Sequence, residues 1–131
     1  MHTEESRVNP QPTMEAKRNR SLTIGIVVAM EHEFNAVRGE LLPEAPVEAV
    51  DCSQLVQGES DGARYVIFQS GIGTTNAAAG ACDLIARFQP HCLLNLGTTA
   101  LIYDPGHGLE VGNVVAGELH QQWDLDIGGP I

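Results

Sequence analysis

The residues best equipped for chemistry are Glu31 and Glu33, set around His32 directly after a greasy run in the stretch GIVVAMEHEF, residues 25–34. A carboxylate near the end of a buried strand can act as general base on a water or accept a hydrogen bond from a ribose hydroxyl. Acidic residues in a first helical turn also simply complement the helix dipole. Spacing alone does not separate Glu31 from Glu33. A second candidate is SGIG, residues 70–73, where backbone N–H groups at a strand-to-helix turn could hold an anion or a ribose hydroxyl. The same glycines also suit a tight turn with no ligand. The stretch is not GxGxxG and has no Walker lysine, so dinucleotide and P-loop readings fail on the residues themselves.

Other ionisable residues offer less. His2, His32, His91, His107 and His120 lie far apart with no HxxxH or HxH pair, so no metal site is expected and they read as solvated or core histidines. Asp124 and Asp126 in WDLD alternate along an expected strand and share one face. Such a face is more often a solvent edge than a site.

Patterning gives the elements that must position these groups. Residues 1–20 are polar, proline-interrupted and aperiodic, which predicts a disordered extension. LTIGIVVA, residues 22–29, is a continuous β-branched run of the kind buried on both faces in a parallel sheet. A helical pattern follows through Glu33, Ala36, Val37 and Leu41, stopping before Pro43. Residues 47–58 and 64–69 read as two strands joined through ESDGA, a hairpin. A helix comes next, with Ala78, Ala81, Ile85 and Phe88 on one face and Pro90 as its stop. HCLLNLG, residues 91–97, is a short apolar strand. After a loop with a turn at Asp104, Pro105 and Gly106, NVVAGEL, residues 113–119, returns as a strand.

Strands alternating with helices predict a layered α/β fold with a largely parallel sheet. In such sheets ligands bind beyond the carboxyl ends of the strands. Three loops qualify, residues 30–33, 70–74 and 97–101, and are expected to face one crevice.

Composition bounds the partners. The chain has 131 residues, enough for one domain, and its 43% hydrophobic content suffices for a core. Seven Lys and Arg against 17 Asp and Glu leave a formal net charge of -10. That balance repels phosphate backbones and anionic lipid, so neither nucleic acid nor a membrane is an expected partner. Cys52, Cys82 and Cys92 form no CxxC pair and sit in or beside apolar runs, as buried free thiols do. A soluble protein of a reducing cytoplasm is expected.

Taken in order, IGIVVAMEHEF, QSGIGTTNAAAGACDLIARFQP, LLNLGTTALI and LEVGNVVAGEL resemble the nucleoside phosphorylase superfamily, closest to the methylthioadenosine/S-adenosylhomocysteine nucleosidases. The resemblance runs from about Leu22 to Ile127 and covers the amino-terminal half of that fold. It implies an extension over 1–20, then over 21–131 the amino-terminal part of an α/β/α phosphorylase-type domain with a mixed, mostly parallel central sheet, apparently truncated.

The family implied splits the bond between adenine and ribose by protonating the purine and adding water to the anomeric carbon. Its strand-end AMExE pattern matches residues 29–33, so the resemblance gives Glu33 the role of base on that water. It gives Met30 an apolar contact on the ribose side and Ile72 a contact near the thioalkyl group. Thr98, Thr99 and Ala100 match the loop touching sugar, water and base, and Ile127 matches another pocket-lining position. No cofactor is implied; the ligand is a small-molecule nucleoside.

Hydrolysis is favoured over phosphorolysis because phosphorylase relatives commonly carry an arginine two residues before the loop glycine matching Gly97. That position is Asn95 here. The GTT at residues 97–99 resembles the uridine phosphorylase branch and keeps a nucleoside phosphorylase as an alternative. The purine-stacking aromatic, the ribose-binding methionine and glutamate, and the purine-protonating aspartate of the family fall in its second half, which leaves a catalytically incomplete binding or assembly module as a further alternative. Uncovered sheet surfaces predict a homo-oligomer.

Overall fold

The computed structural model describes residues 21–51, 53–102, 106 and 108–120. The extension expected over 1–20, the turn at Asp104 and Pro105, Cys52, the WDLD aspartates and Ile127 lie outside the described residues. The chain divides into two compact units, one ending at Thr98 and the other beginning at Thr99.

In the first unit, β1 (Leu22–Val28) runs into α1 (Glu31–Leu41), and β2 (Glu48–Val50), β3 (Ser53–Ser60) and β4 (Ala63–Gln69) follow. The helix α2 (Thr74–Phe88) and the strand β5 (Cys92–Asn95) complete it. The sheet order is β2-β3-β4-β1-β5. β1 pairs in parallel with β4 and β5, whereas β2 with β3 and β3 with β4 are antiparallel. The sheet is therefore mixed, with its parallel part centred on β1.

β1 occupies the centre because its sequence can be buried on both sides. Ile26, Val27 and Val28 are all buried although successive strand residues face opposite ways. On one face Ile26 and Val28 join Val56 and Ile67 against Phe34 and Leu42 from α1 and the turn after it. On the other, Val27 joins Leu55, Val66 and Phe68 against Leu84 of α2. The result is three layers, a helix on each face of the sheet, as expected. Each fully buried large side chain, Phe34 or Leu84 for example, contributes about 1.5–3 kcal/mol through lost apolar exposure.

Local chemistry sets the turns. The hairpin between β3 and β4 turns on Asp61 and Gly62, both at positive φ (49° and 78°), the type I′ pattern that matches the twist of the strands it joins. The stretch 47–58, expected as one strand, is broken into β2 and β3 at Asp51, whose φ of 53° is incompatible with a continuous strand. Beyond α1, the Arg38 guanidinium donates to the Pro43 carbonyl at 3.1 Å and the Ala45 carbonyl at 3.0 Å, fastening the connection that Pro43 opens.

Three further expectations need correction. The buried stripe of α2 runs through Gly80, Ala81, Leu84 and Phe88, while Ala78 and Ile85 are exposed. The helix is turned toward Gly80 because only a residue without a Cβ lets it close on the sheet: a Cβ there would lie 2.8 Å from Phe68 Cε1 and 2.9 Å from the Ser70 Cβ. Cys82 and Cys92 are exposed rather than buried, one on the outer face of α2 and one on the edge strand.

The third concerns the second unit. Residues 113–119 form no strand. Val114 and Leu119 are 96% and 85% exposed, and among the described residues no strand pairs with them. A β-rich sequence without a ladder partner has neither backbone bonds nor a face to bury. The ordered feature here is a turn in which the Asn113 amide donates to the Glu110 carbonyl at 3.1 Å and the Glu110 amide donates to the Asn113 side chain at 2.9 Å.

Gly80→Ala weighs two effects of opposite sign, a gain in helix propensity of about 1 kcal/mol and overpacking against Phe68 that costs about 1–3 kcal/mol. The sub-3 Å approach to two neighbours makes overpacking win, so the midpoint of urea unfolding falls. An unchanged or raised midpoint contradicts the close approach of α2.

Candidate active site

The parallel strands β4, β1 and β5 end on one side of the sheet, and the chain beyond each end stays close to its neighbours. The Ser70 amide donates to the Val28 carbonyl at 2.8 Å and the Leu96 amide to the Val27 carbonyl at 3.0 Å. Backbone emerging from β1 and from β5 is thereby held side by side.

Glu33 sits between them. Its residue lies in the first turn of α1, whose N-cap, Met30, has extended backbone but makes no side-chain cap bond. A thioether is a weak acceptor, so the Met30 side chain offers little to the amides of the first turn. Glu33, three residues on, reaches back as in half of a capping box: its Oε2 accepts from the Met30 amide at 3.0 Å and from the Ala29 amide at 3.2 Å. The other oxygen, Oε1, accepts from the Thr98 amide at 2.9 Å and from the Thr98 hydroxyl at 3.1 Å. Gly97 packs against the same oxygen, and a Cβ there would lie 3.4 Å from it.

Electrostatics follow from these contacts. Burial of the side chain, only 8% exposed, is the largest single influence on Glu33 and acts to raise its pKa. Against it stand the Thr98 amide, the Met30 amide, the Thr98 hydroxyl and the Ala29 amide, all of which favour the charged form. Together they win, and the carboxyl lies below the ordinary glutamate value of 4.5. The group is held as an anion, oriented at both oxygens. Glu31 and His32, its neighbours in sequence, are exposed, which separates the two glutamates that spacing left equivalent.

Of the expected site residues, Met30, Glu33 and Thr98 come together, Met30 through its backbone. Ile72 lies on the 70–73 loop with its side chain 73% exposed, and its carbonyl accepts from Asn76 at 2.8 Å. Thr99 and Ala100 are exposed at the start of the second unit. Ile127 is outside the described residues. Neither of two surface cavities, about 460 Å³ beside Leu42 and Gly58 and about 330 Å³ beside Ser70 and Asp83, includes Glu33. Among the described residues no three potential metal ligands cluster.

Two features of the bonding around Glu33 were not drawn from the sequence. One is the pair of amides at Ala29 and Met30, signalled by a glutamate three residues after an N-cap that cannot cap. The other is the direct grip of Thr98 on Glu33, a contact 65 residues apart in sequence that no local pattern encodes.

The chain belongs to the phosphorylase superfamily, whose family model matches residues 23–130. Within it the chain is similar to 5′-methylthioadenosine/S-adenosylhomocysteine nucleosidases. It is 33% identical over 106 residues to that of Listeria innocua and 33% identical over 106 residues to that of an Exiguobacterium species, covering 81% of this chain and 44% of each relative. Among solved structures it is similar to the Neisseria meningitidis nucleosidase in complex with methylthio-immucillin-A, with a TM-score of 0.52 and 31% identity over 57% of this chain and 32% of that one. The Colwellia psychrerythraea nucleosidase in complex with adenine gives a TM-score of 0.51 and 37% identity over 58% of this chain and 31% of that one. The chain spans less than half the length of the curated relatives it matches.

A carboxyl with a lower pKa folded than unfolded stabilises the fold fully above the unfolded value of 4.5, and that contribution is lost as pH falls through the folded value. Glu33→Gln cannot titrate. Urea unfolding of the two proteins across this range should therefore show a shallower acid-side loss of stability in the variant, and parallel profiles contradict the bonding described. At neutral pH, Glu33→Ala should cost about 1–3 kcal/mol, the range for buried donors left without an acceptor.

Proposed function

We propose that this chain carries the water-activating part of a hydrolytic site for adenine nucleosides of the methylthioadenosine and S-adenosylhomocysteine class. The observation that carries the reading is the oriented, anionic carboxylate of Glu33 at the carboxyl ends of β1 and β5. It is the group a water needs as its base, and its negative charge opposes the positive charge that develops on the sugar as the glycosidic bond breaks. The nucleosidase relatives support the substrate class, since two of the structures hold methylthio-immucillin-A and adenine.

In this reading Met30, Ile72, Thr98, Thr99, Ala100 and Ile127 line the nucleoside, as the resemblance implies. The resemblance gives purine protonation to a part of the family domain outside the 44% of the relatives that this chain matches. A second reading is a module that binds the nucleoside without turning it over. Assembly with further copies is part of the proposal, because Ile85, Leu94 and Leu96 are exposed at 53%, 40% and 39%.

Phosphorolysis is the weaker alternative on physical grounds. A phosphate nucleophile needs positive charge beside it. Among the described residues the arginines are engaged elsewhere: Arg38 with the carbonyls after α1, Arg64 with Gln57 at 2.6 Å, Arg87 with Asp83 at 3.0 Å. At the position where phosphorylase relatives carry arginine, Asn95 pairs with Val27 in β5.

The test is chromatographic detection of free adenine from methylthioadenosine, with and without phosphate, for the chain and for Glu33→Gln. Slow release independent of phosphate is expected, falling by about 10²–10⁴-fold in the variant, the usual contribution of a general base. Strict dependence on phosphate, or equal release by the variant, overturns the hydrolytic reading. Binding of methylthioadenosine with no release in either tube selects the second reading.

A further inference from the structure

An ionised carboxylate offers about four in-plane acceptor sites, and Glu33 has four donors on its two oxygens. Nothing is left over for a water. A nucleophilic water that hands its proton to this carboxylate must come within hydrogen-bond reach of it, and so must take the place of one of the four.

The donors differ in what it takes to move them. The Ala29 and Met30 amides belong to the end of β1 and the entry to α1, and displacing either shifts backbone held in the parallel ladder. The Thr98 amide follows Gly97 and Leu96, and the Leu96 amide is itself tied to Val27. The Thr98 hydroxyl alone sits on a side chain and can leave by rotation about single bonds, at no backbone cost. It bonds the same oxygen as the Thr98 amide, so when it leaves, Oε1 remains fixed by one donor with one acceptor site open.

We infer that Thr98 is the positioning residue for Glu33: its amide fixes Oε1, and its hydroxyl holds the acceptor site on that oxygen that the nucleophilic water takes over. The role of the water rests on the nucleosidase reading, whereas the grip of the hydroxyl on the carboxylate does not. Bonded to Oε1, the hydroxyl keeps a buried carboxylate charged and aligned. With substrate present, the water replaces it and meets a carboxylate one donor poorer and therefore more basic. Glu31 and His32 on α1 are exposed, and Val28, Ala29, Gln69, Ser70, Asn95, Leu96 and Gly97 at the strand ends carry no ionisable side chain.

The experiment follows the Glu33 side-chain carboxyl carbon by NMR through a pH titration of the full chain, of Thr98→Val and of Thr98→Ser. All three keep the backbone amide. The Glu33 titration is expected to move upward in Thr98→Val and to stay near the original in Thr98→Ser, which restores the hydroxyl. Should the valine variant fail to fold, Thr98→Ala gives the same readout. In the adenine-release assay the acid limb of kcat/KM is expected to move upward with the same variants, since a base of higher pKa is protonated at higher pH.

A valine or alanine variant that leaves the Glu33 titration in place overturns the inference, as does a serine variant that raises it equally. Adenine release with no valine-specific shift removes this inference alone. A valine-specific shift in a chain that binds and releases nothing removes the nucleosidase reading and retains the grip of Thr98 on Glu33.

Discussion

One buried carboxylate joins two stretches of backbone far apart in sequence, and the site exists because of that bonding. Glu33 accepts from the end of β1, from the entry to α1 and from the residue after Gly97 beyond β5. A buried carboxylate with no partners would take up a proton rather than stay charged; here burial is opposed by donors that converge from fixed positions. The same bonds cap a helix that has no other N-cap side chain. A group with a structural role of this kind is oriented before any ligand arrives, which is what electrostatic stabilisation of a developing charge requires.

The fold supplies the fixed positions. β1 can sit in the middle of the sheet because Ile26, Val27 and Val28 are covered on both faces, and its parallel neighbours place three chain ends together. Gly80 lets α2 press against Phe68 and Ser70, at the end of β4 where the 70–73 loop begins. On the opposite face Arg38 secures the turn after α1, so the helix that carries Glu33 is held at both ends.

Much of this was legible in the residues. The β-branched run, the helix stop at Pro43 and the Asp61-Gly62 hairpin are local signals, and each element they predict is present. Glu33 was singled out by resemblance, because the dipole and strand-end arguments apply equally to Glu31; burial of one and exposure of the other made the distinction. Less was legible where the outcome depends on distant partners. The exposed face of Ala78 and Ile85 looks as apolar as the buried one, and only the approach permitted by Gly80 decides which is inside. Residues 113–119 have strand composition, but a strand is a pairing and no described strand pairs with them. Thr98 meets Glu33 across most of the first unit, so its hydroxyl could be read as a ligand contact but not as a partner of the carboxylate.

One titrating carboxylate governs the amides of Ala29, Met30 and Thr98 together. The most direct measurement is the pH dependence of those three amide proton shifts in the unaltered chain. A single shared midpoint below the ordinary glutamate value of 4.5 is expected. Three unrelated profiles, or a shared midpoint at or above that value, would contradict it.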